Sequence, residues 1–390
     1  MTNEEYIQAH REEDVRRLAL GRIPKGVDMK WCLQQIEGWQ IARQKLPTWA
    51  QTEGLWYPPR LSMEQCSSEL TARYKRAVAE RLIPEEGRIR MVDLTGGLGV
   101  DFSYLASLFH EATYVEILPE LRKLAQHNMP LLGLPHATIV EPNNPSLFIP
   151  HSSLIYVDPA RRDEVGRKTI SIADCTPDVT ALQDRLFARA RYIMVKLSPM
   201  LDITEALRQL RHVSEVHAVS VRGECKELLF VMQRSESISI HCVNLGTDED
   251  VLMSPLGAPL QASFHYGEVQ EGQFLYEPNA SILKAGIQDL LCECYGVRKL
   301  HPVSNLFVGD ALHSHFPGRR FRITAMSDFS KKGLKAMIGD LSKANLTVRN
   351  FPTPVARLRQ QLRLAEGGDV YLFATTLHDG QHALIRCAKS

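Results

Sequence analysis

Short apolar runs alternate with amphipathic stretches through the middle of the chain, from about residue 88 to residue 234. Met91-Val92-Asp93-Leu94 is a brief apolar run bounded by turn residues, as expected of a buried strand. Thr95-Gly96-Gly97-Leu98-Gly99 follows as a glycine-rich turn. Val100, Tyr104, Leu105 and Leu108 then recur at helical spacing, and Thr113-Tyr114-Val115-Glu116 reads as a second strand closed by a carboxylate. The alternation continues with a helix from Leu118-Pro119-Glu120 to Asn128 and strands at 137–140 and 153–158. A helix over 180–189, a strand over 192–197 and a helix over 201–211 come next. Two strands, 216–221 and 226–232, are joined by Arg222-Gly223-Glu224-Cys225. Such alternation predicts an open α/β sheet, in which ligands lie beyond the carboxyl ends of the strands.

The flanks differ from this core. Residues 1–84 predict helices over 4–20 and 28–45, punctuated by Leu46-Pro47 and Tyr57-Pro58-Pro59. All four tryptophans, Trp31, Trp39, Trp49 and Trp56, fall here and are expected to pack a small core or to dock on the next domain. Ser67 or Ser68 is placed to cap a helix running to about Arg81, before Pro84 and Gly87 break the chain. Beyond Ser235, 238–243 alternates like a strand and 244–272 carries little regular signal. The pattern then predicts a helix over 280–291 and a strand-rich patch from Phe307. From Arg320 it predicts strand, helix (331–341), strand, helix (354–364, ended by Gly367-Gly368), strand, strand, a small α+β sandwich.

Composition narrows the class of protein. The 390 residues hold 44% apolar and 23% charged residues, as in an ordinary globular chain, and the net charge is +1. No global field therefore recruits nucleic acid, and any basic surface must be local. The eight cysteines match no zinc spacing and are expected to be reduced thiols in a cytoplasmic protein, with no metal. The polar, acidic start MTNEEYIQAHREED does not read as a signal peptide, and no long apolar run predicts a membrane span.

The spacing at the turn selects its chemistry. A dinucleotide fold asks for G-x-G-x-x-G, whereas here Asp93-x-x-Gly96-Gly97-x-Gly99 has no glycine three residues further on. An acid, three glycines and a second acid after a helix resemble motif I of the class I S-adenosylmethionine (SAM) methyltransferases. The resemblance covers about residues 88–234 in family order and implies a doubly wound, seven-stranded Rossmann-like sheet. It implies SAM as cofactor, its amino-acid end held by Asp93 and the turn and its ribose by Glu116. The full cofactor set it suggests is Asp93, Thr95, Gly96, Gly97, Gly99, Asp101, Glu116, Asn143 and Asp158, with Glu141 an alternative to Asn143 for the adenine. Asp158-Pro159-Ala160-Arg161-Arg162 stands at motif IV and implies Asp158 and Arg161 as catalytic residues, with Arg161 and Arg162 facing the acceptor. Its Asp-Pro-x-Arg form is similar to that of the RNA 5-methyluridine enzymes, but Leu197 takes the place of their nucleophilic cysteine. Covalent attack on a pyrimidine is thereby excluded, and direct transfer remains. Lys196, at the end of its strand, is expected to form a salt bridge, with Asp158 one candidate partner.

One charge cluster adds a partner. Between Phe316 and Arg363 eleven Lys and Arg face only Asp328 and Asp340, a local balance of +9 that suits a phosphate backbone. Arg320, Arg357 and Arg359 are the substrate-binding candidates. The layout, through Asn350-Phe351-Pro352 and the run 364–372, looks like the THUMP-like domain of a group of bacterial methyltransferases. THUMP domains proper belong to tRNA-modifying enzymes, so the resemblance implies tRNA or rRNA as partner. Four segments are expected: a helical 1–84, a methyltransferase domain over 85–235, a linking α+β module over 236–318 and a basic THUMP-like (ferredoxin-like) domain over 319–390. No obligate protein partner is readable. The alternatives are a SAM-binding RNA module without turnover, or methylation of a protein or small molecule.

Overall fold

A computed structural model of the chain describes residues 1–142, 149–160, 171–235, 237–246, 252–255, 265–339 and 341–390. The chain divides into two compact units, residues 1–216 with 227–236, and residues 217–226 with 237–390.

The first unit is built on a sheet whose first three strands are β1 (Arg90–Asp93), β2 (Glu111–Val115) and β3 (Ala137–Val140). β4 (Ser152–Val157), β5 (Ala190–Leu197), β6 (Val213–Val221) and β7 (Glu224–Met232) complete it. Their order is β3-β2-β1-β4-β5-β7-β6. β1 to β5 are parallel, and β7 inserts antiparallel beside β5. Apolar residues fill both faces of these strands: Met91, Leu154, Tyr156, Met194, Leu229 and Val231 share a core with Phe102, Leu105 and Tyr114 on one face, and Val92, Ile155, Val157, Ile193, Val195 and Phe230 are buried on the other. Parallel strands covered on both faces read as continuous apolar runs, which is why they were legible.

The N-terminal helices pack in the same unit. The stretch 4–20 is two helices, Asn3–His10 and Val15–Ala19, because Asp14 caps a fresh start by accepting from the Arg17 N–H. Trp49 is fully buried, in one cluster with Leu98 and Val100 of the turn-and-helix segment. Trp56 stacks on His127 at 3.8 Å and meets Trp31 edge-on. Asn128 ties both backbone groups of Trp56 at 2.9 Å. The tryptophans thus act in packing.

In the second unit β8 (Ser239–Leu245) lies beside the distal half of β6, and β9 (Leu252–Pro255) pairs with β8. These strands carry the order past the seven expected. A second sheet gathers β10 (Phe274–Pro278), β11 (Arg298–Lys299), β12 (Phe307–Gly309) and β13 (Gly318–Ser327). β14 (Asn345–Arg349), β15 (Val370–Thr376) and β16 (His382–Lys389) belong to it too, in the order β11-β12-β10-β13-β16-β15-β14. β10 pairs directly with β13, Tyr276 opposite Arg320, so one continuous sheet passes through residue 318. Helices Lys331–Ile338 and Val355–Leu362 pack Met337, Leu358 and Leu362 on Leu346, Leu372 and Leu384.

Two helices depart from the pattern. The expected helix over 280–291 is two, Ala280–Ala285 and Leu290–Tyr295, because Gly286 turns left-handed at φ +71°. The helix after Pro354 ends at Arg363, itself left-handed at φ +55°, before Gly367-Gly368.

Candidate active site

The carboxyl ends of β1, β2 and β4 converge on the glycine turn. Asp93 leaves β1 fully buried, and its carboxylate accepts the Thr95 N–H at 2.8 Å and the Thr95 hydroxyl at 3.2 Å. The same hydroxyl accepts the Asp158 N–H at 2.7 Å, so one threonine links the ends of β1 and β4. Gly97 donates its N–H to Glu116 at 2.8 Å, and the other Glu116 oxygen accepts from the Leu118 N–H. The Tyr114 hydroxyl donates to the Gly97 carbonyl.

Sterics explain the glycines. A Cβ at Gly96 would stand 2.3 Å from the Tyr114 ring. Gly97 and Gly99 hold φ of +58° and +84°, the left-handed region that disfavours side chains.

Beneath the turn lies a buried charge network. Asp101 accepts from Ser67 and from the Tyr156 hydroxyl, each at 2.7 Å. Lys75, wholly buried, stands 3.2 Å from Asp101 and bonds both Glu227 oxygens at 2.6 and 2.8 Å. Lys196 at the end of β5 pairs with Asp158. Burial opposes the Asp101 charge, but Lys75, Lys196 and the two hydroxyls outweigh it and hold Asp101 below the usual carboxylate range. Burial likewise works against the Lys196 ammonium, yet Asp158, Asp101 and Glu227 raise it above an ordinary lysine. Among the described residues Asp93 has no such cation beside it. Burial, aided by the nearby Asp101 and Asp158, pushes it up to about 8 against the opposing Thr95 bonds.

The residues fit a cationic nucleotide such as SAM. Outside Gly97 an added Cβ meets nothing nearer than the Thr95 carbonyl at 3.6 Å, so that side of the turn is open. The ends of β1, β2 and β4 supply Asp93, Glu116 and Asp158 around that space.

The structure brings together Asp93, Thr95, Gly96, Gly97, Gly99, Asp101, Glu116 and Asp158. Asn143, Arg161 and Arg162 lie outside the described residues. Glu141 is turned to Arg122 at 2.8 Å. Ser68 caps helix Glu69–Leu82, whereas Ser67 serves Asp101. Sequence reading missed Lys75, Tyr156 and Glu227. The available signal was a charged residue on an apolar face: Lys75 among Ala72, Val78 and Ala79, and Glu227 ahead of Leu228-Leu229-Phe230. It also missed Cys66, which burial pushes up despite Lys45 and Lys196, and whose thiol donates to the Met63 carbonyl.

In the second unit the three substrate candidates differ. Arg320 donates to the Ser314 carbonyl. Arg359 holds the Ala344 and Ala365 carbonyls at 3.0 and 3.1 Å, a loop-fastening role. Arg357 is exposed. Of the eleven cations, Arg319 and Arg349 pair with Glu277, and Arg359 approaches Glu366. The other eight form no ion pair among the described residues.

Family models match residues 274–317 as a ferredoxin-like domain and residues 318–389 as THUMP domain-like. The chain is 25% identical over 319 residues to an uncharacterised SAM-dependent methyltransferase from two strains of Mycobacterium tuberculosis, covering 78% of this chain and 80% of that protein. The crystal structure of a candidate methyltransferase from Porphyromonas gingivalis W83 is 35% identical and covers 100% of this chain and 97% of its own, with a TM-score of 0.85. With the motif I turn in place, the chain belongs to the class I SAM-dependent methyltransferases that carry a C-terminal THUMP-like domain.

Proposed function

We propose that this methyltransferase acts on structured RNA, a tRNA or an rRNA, by direct transfer without a covalent enzyme intermediate. Bound SAM supplies a methyl group already activated by its positively charged sulfur. The chain's task is to align the acceptor and exclude water.

The observation that carries direct transfer is the setting of Asp158. Its N–H is fixed by Thr95 and its carboxylate by Lys196, beside the glycine turn, and the next residue along β5 is the buried Leu197. Asp158 is thus set to accept a hydrogen bond from an acceptor amine or imide and to take up its proton. Cys66 stays a protonated thiol, a poor nucleophile. Arg161 and Arg162 would hold the acceptor's phosphate.

RNA is supported by the eight cations that form no ion pair among the described residues and by the THUMP domain-like match. Residues 85–235 would be the catalytic domain behind a helical segment 1–84, with 236–318 linking it to an RNA-facing 319–390. A cytoplasmic location accords with this reading. No helix among the described residues is long and apolar enough to cross a membrane.

The test is incubation of the protein with labelled SAM and total RNA from a deletion strain, followed by nucleoside mass spectrometry. One methylated nucleoside is expected. Label in protein or small molecules but in no RNA fraction would overturn the reading.

A further inference from the structure

At the amino edge of the first sheet, opposite the glycine turn, lies a cleft of about 780 Å³. Arg90, His151, Arg189, Arg191 and Arg234 line it, and no carboxylate among the described residues does. Arg90 is paired with Glu111. Arg189, Arg191 and Arg234 form no ion pair among the described residues, and all three are exposed.

Strand register builds this array. Arg90 opens β1 and donates its N–H toward Ser153 of β4. The Ser152 N–H bonds the Arg189 carbonyl at 2.9 Å, tying the entrance of β5 to β4. Arg189 and Arg191 flank the buried Ala190, so both side chains leave on one side. β5 and β7 pair as far as Ile193 opposite Met232, and Arg191 and Arg234 stand just beyond that last pair, both lining the cleft. Like charges gathered at one cleft repel one another. Arg191 lies over the Tyr192 ring, 5.2 Å from its centroid, and a bound anion would offset the repulsion among these arginines.

We propose that this cleft binds the phosphodiester backbone of the RNA on which the enzyme acts. The inference rests on the RNA reading above. Guanidinium groups match phosphate oxygens two at a time. The row runs from β1 across β4 and β5 to β7, three strand spacings or roughly 14 Å, which is broader than one phosphate. The cleft is separated from Asp158 by the length of β4, about 20 Å for six residues. It therefore grips RNA away from the acceptor nucleotide.

The experiment uses the full chain and a fluorescein-labelled RNA hairpin, with anisotropy read across a salt series. One variant is Arg191→Glu with Arg234→Glu; Arg191→Gln with Arg234→Gln is the milder version should the first misfold by circular dichroism. Lys335→Glu with Arg357→Glu serves as the comparison in the second unit. The cleft variants are expected to lose about tenfold in RNA affinity and to flatten the slope of log K against log salt by about two, with SAM binding heats unchanged. Unchanged affinity and slope in both cleft variants, with weakening in the Lys335/Arg357 variant, would overturn the cleft while leaving the RNA reading intact. No RNA binding by the wild-type chain would remove both. Saturation by inorganic pyrophosphate that RNA does not displace would also overturn the backbone assignment.

Discussion

The glycine-turn site and the basic face of the second unit carry their charges in opposite ways. Around the turn, Lys75, Asp101 and Glu227 are buried and fixed to one another at 2.6–3.2 Å. On the second unit Lys331, Lys332, Lys335, Arg357 and Arg363 are exposed and form no ion pair among the described residues. A charge taken out of water must be compensated by the fold itself. An exposed one costs little and remains available to a partner. The first arrangement makes a fixed seat, the second a field.

The sharpest break of this contrast is stability. Lys75→Met leaves Asp101 and Glu227 buried without their cation and should destabilise the chain by about 3–5 kcal/mol. Lys335→Met should cost less than about 0.5 kcal/mol. Urea unfolding measures both, and similar costs would erase the distinction.

Next comes pH. Asp93 is raised to about 8, above its value in the unfolded chain. Between those two values the folded state binds the extra proton, so stability falls as pH rises from about 4 through about 8. Asp93→Asn removes this loss. The variant's unfolding free energy, read from urea titrations, should gain on wild type between about pH 5 and about pH 9, by an amount on the order of a few kcal/mol. Parallel pH profiles would refute a protonated Asp93.

A smaller effect belongs to the turn backbone. Gly97→Ala at φ +58° should cost roughly 1–2 kcal/mol, with loss of SAM affinity. Gly380→Ala, also left-handed at φ +85° with open space around it, should cost a similar amount with no change in SAM affinity. Equal SAM affinities in both would detach the turn from the cofactor. Smallest in stability is Lys335→Glu with Arg357→Glu, expected within about 0.5 kcal/mol of wild type yet weaker for RNA. Arg359 is left out because it fastens a loop.

The same contrast explains what could be read in advance. Glycines at positive φ and acids at strand tips stand at fixed places along the chain, so the turn between Asp93 and Glu116 was visible. Lys75 and Glu227 are 152 positions apart and meet only because β7 inserts between β5 and β6. That pairing is a property of topology, with no local signature. β9 lies in a stretch without clear alternation, and the continuous sheet through residue 318 arises from the β10–β13 pairing. The basic cluster was legible as composition, but which arginines fasten backbone and which face solvent was decided by the fold.

The central claim is that the glycine turn between Asp93 and Glu116 seats SAM. Calorimetric titration of SAM into the wild-type chain, Asp93→Ala and Glu116→Ala tests it most directly, with folding of each variant verified by circular dichroism. The account predicts one site in the wild type, no measurable binding in Asp93→Ala and strongly weakened binding in Glu116→Ala. Unchanged SAM affinity in both folded variants would contradict it.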